Sequence, residues 1–141
     1  MSLRDRRVQY ETAGLDRNDL NPDPMAQWKS WYDQAAEANV AEPNAMTIST
    51  IGHDGGPDSR IVLVRGATDE GFVFFTNYNS AKSQQLAQRS QVAALFSWLD
   101  LHRQVRVRGV VRKCSDAQSD EYFASRPRES QIGAWASPQS E

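Results

Sequence analysis

The sequence predicts an α+β fold, a small and mostly antiparallel barrel or sheet with short flanking helices. Three observations predict it. Five runs between residues 45 and 114 alternate apolar and polar side chains, helical spacing and helix caps surround them, and turn-forming residues join successive runs as hairpins. At 141 residues one domain is expected, with residues 1–23 as a polar N-terminal arm and residues 24–141 as the folded unit.

The arm closes on "LNPDP", where Asp23 offers an N-cap oxygen and Pro24 suits the first helical position. The helix that follows places Trp28, Trp31, Tyr32, Ala35 and Ala36 on one face, which reads as packing. After "AEPNA" the period changes to two. "AMTISTIG" is the first strand, "HDGG" a turn, "SRIVLVRG" the second strand and "EGFVFFTN" the third. "SAKSQQLAQRS" is a short helix with Ser80 as cap, "VAALFSWL" the fourth strand and "RQVRVRGVVRKC" the fifth. In the fifth, Val105 and Val107 oppose Arg106 and Arg108, and Gly109 followed by two valines predicts a bulge or barrel corner. Ser115 and Gln118 form a capping-box pattern for a last helix.

Composition narrows the function. Charged residues are 24% and the net charge is −2, so affinity for nucleic acid through overall basicity is not expected. No apolar run is long enough to cross a bilayer, and "MSLRDRRVQYE" has no apolar leader segment behind it. A single cysteine, Cys114, precludes an intrachain disulfide and fits a reducing cytoplasm. Two isolated histidines, His53 and His102, without CxxC or HExxH spacing, argue against a metal site and against haem ligation.

There is no G-x-S-x-G, no GxGxxG and no P-loop, and the adjacent acids Asp69-Glu70 and Asp120-Glu121 do not face one another. Side-chain nucleophiles are thus weakly supported, and an organic cofactor has to supply any redox chemistry. Anion-binding groups are abundant by contrast. Arg60 and Arg65 bracket the second strand, Thr76 closes the third, and Ser80 and Lys82 fall in the first turn of the next helix. Gln104 opens the fifth strand, and Tyr122, Arg126 and Ser130 follow the last helix. Taken singly, each reads as a surface or loop residue.

Their order resembles the pyridoxamine 5'-phosphate oxidase family. "RIVLVR" (60–65) is similar to R-x-V-L-L-K, "FFTNYNSAKSQQL" to Y-T-N-x-x-S-R/A-K-x-x-Q-L, and "RQVRVRG" to R-Q-V-x-V-x-G. "YFASRPRESQIGAWASPQS" resembles Y-F-x-S-R-P-R-x-S-Q-I-G-A-W-x-S-x-Q-S nearly throughout. The resemblance implies an FMN-binding split β-barrel, a homodimer with FMN at the subunit interface, and oxidation of pyridoxamine or pyridoxine 5'-phosphate to pyridoxal 5'-phosphate with oxygen as acceptor. It implies that Arg60, Lys82 and Ser80 meet the FMN phosphate. Ile61, Val62, Leu63, Val64, Arg65, Phe75 and Thr76 would line the flavin, Gln104 would bond it, and Gln139 and Ser140 would reach it, from the partner subunit. Tyr122, Arg126 and Ser130, with Arg65, would hold the substrate phosphate, and Arg7 and Tyr10 match an R-x-x-Y arm over the substrate. Trp135 reads as packing beside them.

The sequence departs from the family pattern at Arg65, where lysine is usual, and at Ala81, where arginine is common. It ends at Glu141, so the family's W-G-G strand, E-F-W-Q-G segment and R-x-H substrate pair lie outside it, and weaker FMN binding and slower turnover are expected. Two other readings remain open on sequence alone: a flavin- or phosphate-binding protein without oxidase activity, and a dimeric module whose arginines pair with carboxylates.

Overall fold

The computed structural model describes residues 2–7, 9, 14–76, 81–115, 117, 118, 120 and 121, with the backbone alone of Ala81, Lys82, Ser83 and Gln88. Short 3-10 turns at Leu3–Asp5 and Arg17–Asp19 belong to the exposed arm. Helix α1 (Pro24–Glu37) starts as expected: the Asp23 side chain accepts from the Met25 N–H at 3.1 Å, and Pro24 occupies the first turn. Its inward face is Trp28 and Ala35, both buried, with Trp31 and Tyr32 half-buried. Ala36 is exposed, contrary to the sequence expectation, because one residue past Ala35 the helix has turned by roughly 100°.

Five antiparallel strands follow: β1 (Ala45–Ile51), β2 (Pro57–Thr68), β3 (Gly71–Phe74), β4 (Gln91–Trp98) and β5 (Arg103–Val110). Helix α2 (Ala81–Gln88) joins β3 to β4. The sheet order is β3-β2-β1-β4-β5, so α2 carries the chain from one edge across β2 and β1 to the far side. The β1–β2 hairpin turns through residues 52–56. There Gly55 sits at φ +83°, where a side chain is strained, and Asp54 Oδ1 accepts from the Gly56 N–H at 2.9 Å.

The sheet curls. Phe72 and Phe74 from edge strand β3 and Val105, Val107 and Val111 from and beyond edge strand β5 pack into the same cluster. Outside it, Glu70 and Arg112 close the gap between the two edges with a 3.1 Å ion pair. Pairing fixes which residues look inward. Val62 stands opposite Met46, and Phe96 opposite Val105, whereas Ile61, Thr47, Leu95 and Arg106 form a row on the outer face. Trp28 plugs the interior, 4.9 Å from Phe72 and 5.2 Å from Phe96 between ring centroids, and the buried Trp98 donates its indole N–H to Pro43 O at 2.9 Å. Among the described helices none is long and apolar enough to cross a membrane.

Three details correct the sequence reading. Strand β3 ends at Phe74, so Phe75 and Thr76 lie just beyond it rather than closing it. The expected bulge at Gly109 is absent, since Gln91↔Val110 and Val92↔Gly109 continue the β4–β5 register. Gly109 keeps the inward phase of Val105 and Val107 without a side chain, which leaves Val110 outward and 70% exposed. The irregularity is instead in β2, where the register with β3 shifts between Val64 and Gly66 and makes Arg65 the extra residue. The capping box at Ser115 is present: Gln118 N–H donates to Ser115 Oγ, and Ser115 N–H to Gln118 Oε1, both at 3.2 Å.

Candidate functional site

The candidate site is organised around Arg60. Its register partner is Ile48, 1% exposed, so the arginine stem starts on the inward face of β2, in phase with Val62 and Val64. A cation at that position needs partners, because a buried charge without hydrogen bonds is costly. The chain supplies them at the end of the sheet nearest α2. Arg60 Nη1 donates to Thr50 Oγ1 at 2.6 Å and to Asp58 O at 3.2 Å, and Nη2 donates to Gln85 Oε1 at 3.1 Å. Gln85, in α2, also accepts from the Thr50 hydroxyl and donates through Nε2 to Asp58 Oδ2 at 2.6 Å. Arg60 Nε enters none of these bonds, so donor capacity of the five-donor fork remains.

The network ties Arg60, one of the residues picked out from the sequence, to the helix whose backbone carries another, Lys82. Lys82 lies three residues before Gln85 in α2, a spacing that shares one side of a helix, and Gln85 is bonded to Arg60. Both cationic positions therefore belong to one end of the barrel. Thr50, Asp58 and Gln85 were not picked out as site residues. The signal was present for Gln85, since the glutamine of the quoted K-x-x-Q-L pattern falls on it, and for Arg60, a charge in phase with core valines.

The remaining described candidates divide between the two faces. Val62 and Val64 are core residues at 8% and 6% exposure, so their side chains pack inward and are not open to a ligand. Ile61 is 65% exposed on the outer face, with Leu63 half-buried in the same phase. Gln104 is exposed opposite Ser97, and Arg106 and Arg108 follow it outward along β5. Arg65 projects from the bulge and is exposed, and Phe75 and Thr76 are half-buried. Arg60 aligns through Ile48 and Ala94 with Val107, and Gln104 is three residues back along β5. The Arg60 and Gln104 rows are therefore about 10 Å apart along the strands. Arg7 is an exposed residue of the arm. Tyr10, Ser80, Tyr122, Arg126, Ser130, Trp135, Gln139 and Ser140 lie outside the described residues, as does the Lys82 side chain.

Known proteins resemble the chain both in sequence and in this architecture. The pyridoxamine 5'-phosphate oxidase family matches residues 32–141. A protein of Burkholderia multivorans called pyridoxine/pyridoxamine 5'-phosphate oxidase is 53% identical over 139 residues, 99% of this chain. The chain spans 65% of the length of that relative. Among solved structures, PhzG from Burkholderia lata, determined in complex with tetrahydrophenazine-1-carboxylic acid, superposes with a TM-score of 0.84 at 25% identity, covering 92% of this chain and 65% of PhzG. A pyridoxamine 5'-phosphate oxidase-related, FMN binding protein from Nostoc punctiforme shares the fold, with a TM-score of 0.61 at 17% identity over 81% of this chain and 62% of its own. The curled five-stranded sheet is thus a split barrel, and its sequence and shape agree on descent: the chain belongs to the pyridoxamine 5'-phosphate oxidase family.

Proposed function

We propose that the chain binds FMN and, as one of two identical subunits, oxidises pyridoxamine or pyridoxine 5'-phosphate to pyridoxal 5'-phosphate. The observation that carries this reading is the Arg60 guanidinium, bonded to the helix that bears Lys82. A guanidinium with unspent donors beside a lysine-bearing first helical turn fits a phosphate monoester, because paired charge-assisted bonds and the positive end of a helix dipole both favour an anion. Gln104 lies on the outer face of β5, three strands across the sheet from β2, so a ligand that reaches both groups has to pass round the end of the sheet at which Arg60 is held.

Arg60, Lys82 and Ser80 would hold the FMN phosphate, and Ile61–Arg65, Phe75 and Thr76 would flank the ring. Gln104 would hydrogen-bond its polar edge, and Gln139 and Ser140 would reach it from the second subunit. FMN held there would supply the redox chemistry, a two-electron oxidation of the substrate with molecular oxygen as final acceptor and hydrogen peroxide as product. The protein's own work is placement. The bulge at Arg65 re-aims that side chain from the regular pleat, which suits a substrate-phosphate contact shared with Tyr122, Arg126 and Ser130. Arg7 and Tyr10 would close the arm over the substrate. A second copy on the outer face would cover Ile61 and Leu63 and exclude water from the flavin.

A second reading follows from the likeness to PhzG, whose solved complex holds a partly reduced tricyclic acid. In that case the same barrel would take an aromatic carboxylate in place of a B6 phosphate. Identity of 53% to a B6 phosphate oxidase against 25% to PhzG favours the first reading. The test is to titrate the purified chain with FMN and then measure peroxide. Peroxide from pyridoxine or pyridoxamine 5'-phosphate is expected, at a rate below that of the longer relative. A yellow protein that makes peroxide only from the tricyclic acid would support the second reading. One that makes none from any of the three would leave a flavin-binding protein without oxidase activity.

A further inference from the structure

Thr50 and Gln85 are the buried polar side chains among the described residues, at 1% and 6% exposure. A buried amide is tolerated when each of its polar atoms has a partner, and Gln85 meets that condition in an unusual place. Its Nε2 faces the Asp58 carboxylate at 2.6 Å, and its Oε1 faces the Arg60 guanidinium at 3.1 Å. Asp58 and Arg60 are two apart on β2, so their side chains leave the same face of the strand. Opposite charges so placed ordinarily pair. Here none of the described ion pairs joins them, and the Gln85 amide stands between, donor toward the anion and acceptor toward the cation.

We propose that Gln85 is a positioning residue that insulates Arg60 from Asp58, keeping the guanidinium charge unspent and its fork turned toward a bound phosphate. Thr50 completes the hold from the other side, accepting from Arg60 Nη1 at 2.6 Å while donating to Gln85. Because Gln85 is part of α2, docking of that helix and aiming of Arg60 become one event. Lys82, three residues earlier, arrives with it. The proposal rests on the FMN reading above and adds to it a residue that touches no part of the ligand.

Riboflavin, which lacks the phosphate, separates positioning from general structure. In the parent chain FMN should bind more tightly than riboflavin. In Gln85→Leu, Asp58 is free to close on Arg60, and the preference for FMN should fall about tenfold or more while riboflavin affinity holds. Adding Asp58→Asn to Gln85→Leu removes the competing carboxylate and should restore most of the preference, a rescue that a merely structural role does not predict. Gln85→Met, of similar volume and greater flexibility, provides the same comparison in a second packing context. An unchanged preference in the Gln85 variants, an equal loss of both flavins, or no rescue by Asp58→Asn would overturn the proposal. A parent chain that binds both flavins equally would overturn the phosphate reading of Arg60 itself, and the role of Gln85 with it.

Discussion

Arg60→Ala is expected to bind FMN roughly a hundredfold more weakly than the parent chain, a loss of about 3 kcal/mol, with little change for riboflavin. The size follows from what is removed. The guanidinium is the charge held at the sheet end beside α2, fixed by bonds to Thr50, Asp58 O and Gln85. A charge-assisted bond to phosphate gains from a donor that needs no reordering on binding. Arg60→Lys keeps the charge but loses the planar fork, and should recover only part of the affinity. Thr50 and Gln85 remain bonded to one another in both variants, so the fold should tolerate them. Calorimetric titration with both flavins measures the effect; an Arg60→Ala chain with parental FMN affinity would place the phosphate elsewhere.

The largest effect on stability is expected at Phe96. It is 0% exposed and lies within 5.2 Å of Trp28, 5.1 Å of Phe72 and 5.9 Å of Trp98, centroid to centroid. It therefore joins α1, edge strand β3 and central strand β4 in one aromatic cluster. Truncation to alanine removes the ring and leaves a cavity that the three neighbours, each held by its own strand or helix, fill incompletely. The cost of such a change is about 3–5 kcal/mol, against a total of about 5–15 kcal/mol for a domain of this kind. Phe96→Ala should lower the melting temperature by roughly 10 °C or more, read by circular dichroism. Phe96→Leu should lose less. A shift of a degree or two for the alanine variant would mean that the barrel interior is not packed around this ring.

How much of this was legible beforehand depends on whether a residue's role is local or shared. The start of α1 was legible because Asp23 and Pro24 act on their own backbone, and the box at Ser115 and Gln118 for the same reason. Strand phase was legible wherever side chains mark it, and failed at Gly109, which carries the inward phase without a side chain to show it. The bulge at Arg65 escaped because it belongs to the pairing of β2 with β3, which no run of residues in either strand displays. The site shows the same division. Arg60 and Lys82 were legible as cations in a motif, whereas the Thr50, Asp58 and Gln85 network assembles from three elements and consists of residue types common on any surface. One clue was available: a charged residue in register with Val62 and Val64 has to be met by polar partners from across the fold.

The central claim is that Arg60 and α2 converge on a single phosphate. A crystal structure of the chain with FMN tests it most directly. The account predicts the FMN phosphate within hydrogen-bond distance of both the Arg60 guanidinium and Lys82 Nζ, with the Gln85 amide still between Arg60 and Asp58. A phosphate bound away from this end of the barrel, with Arg60 bonded only to protein, would contradict it.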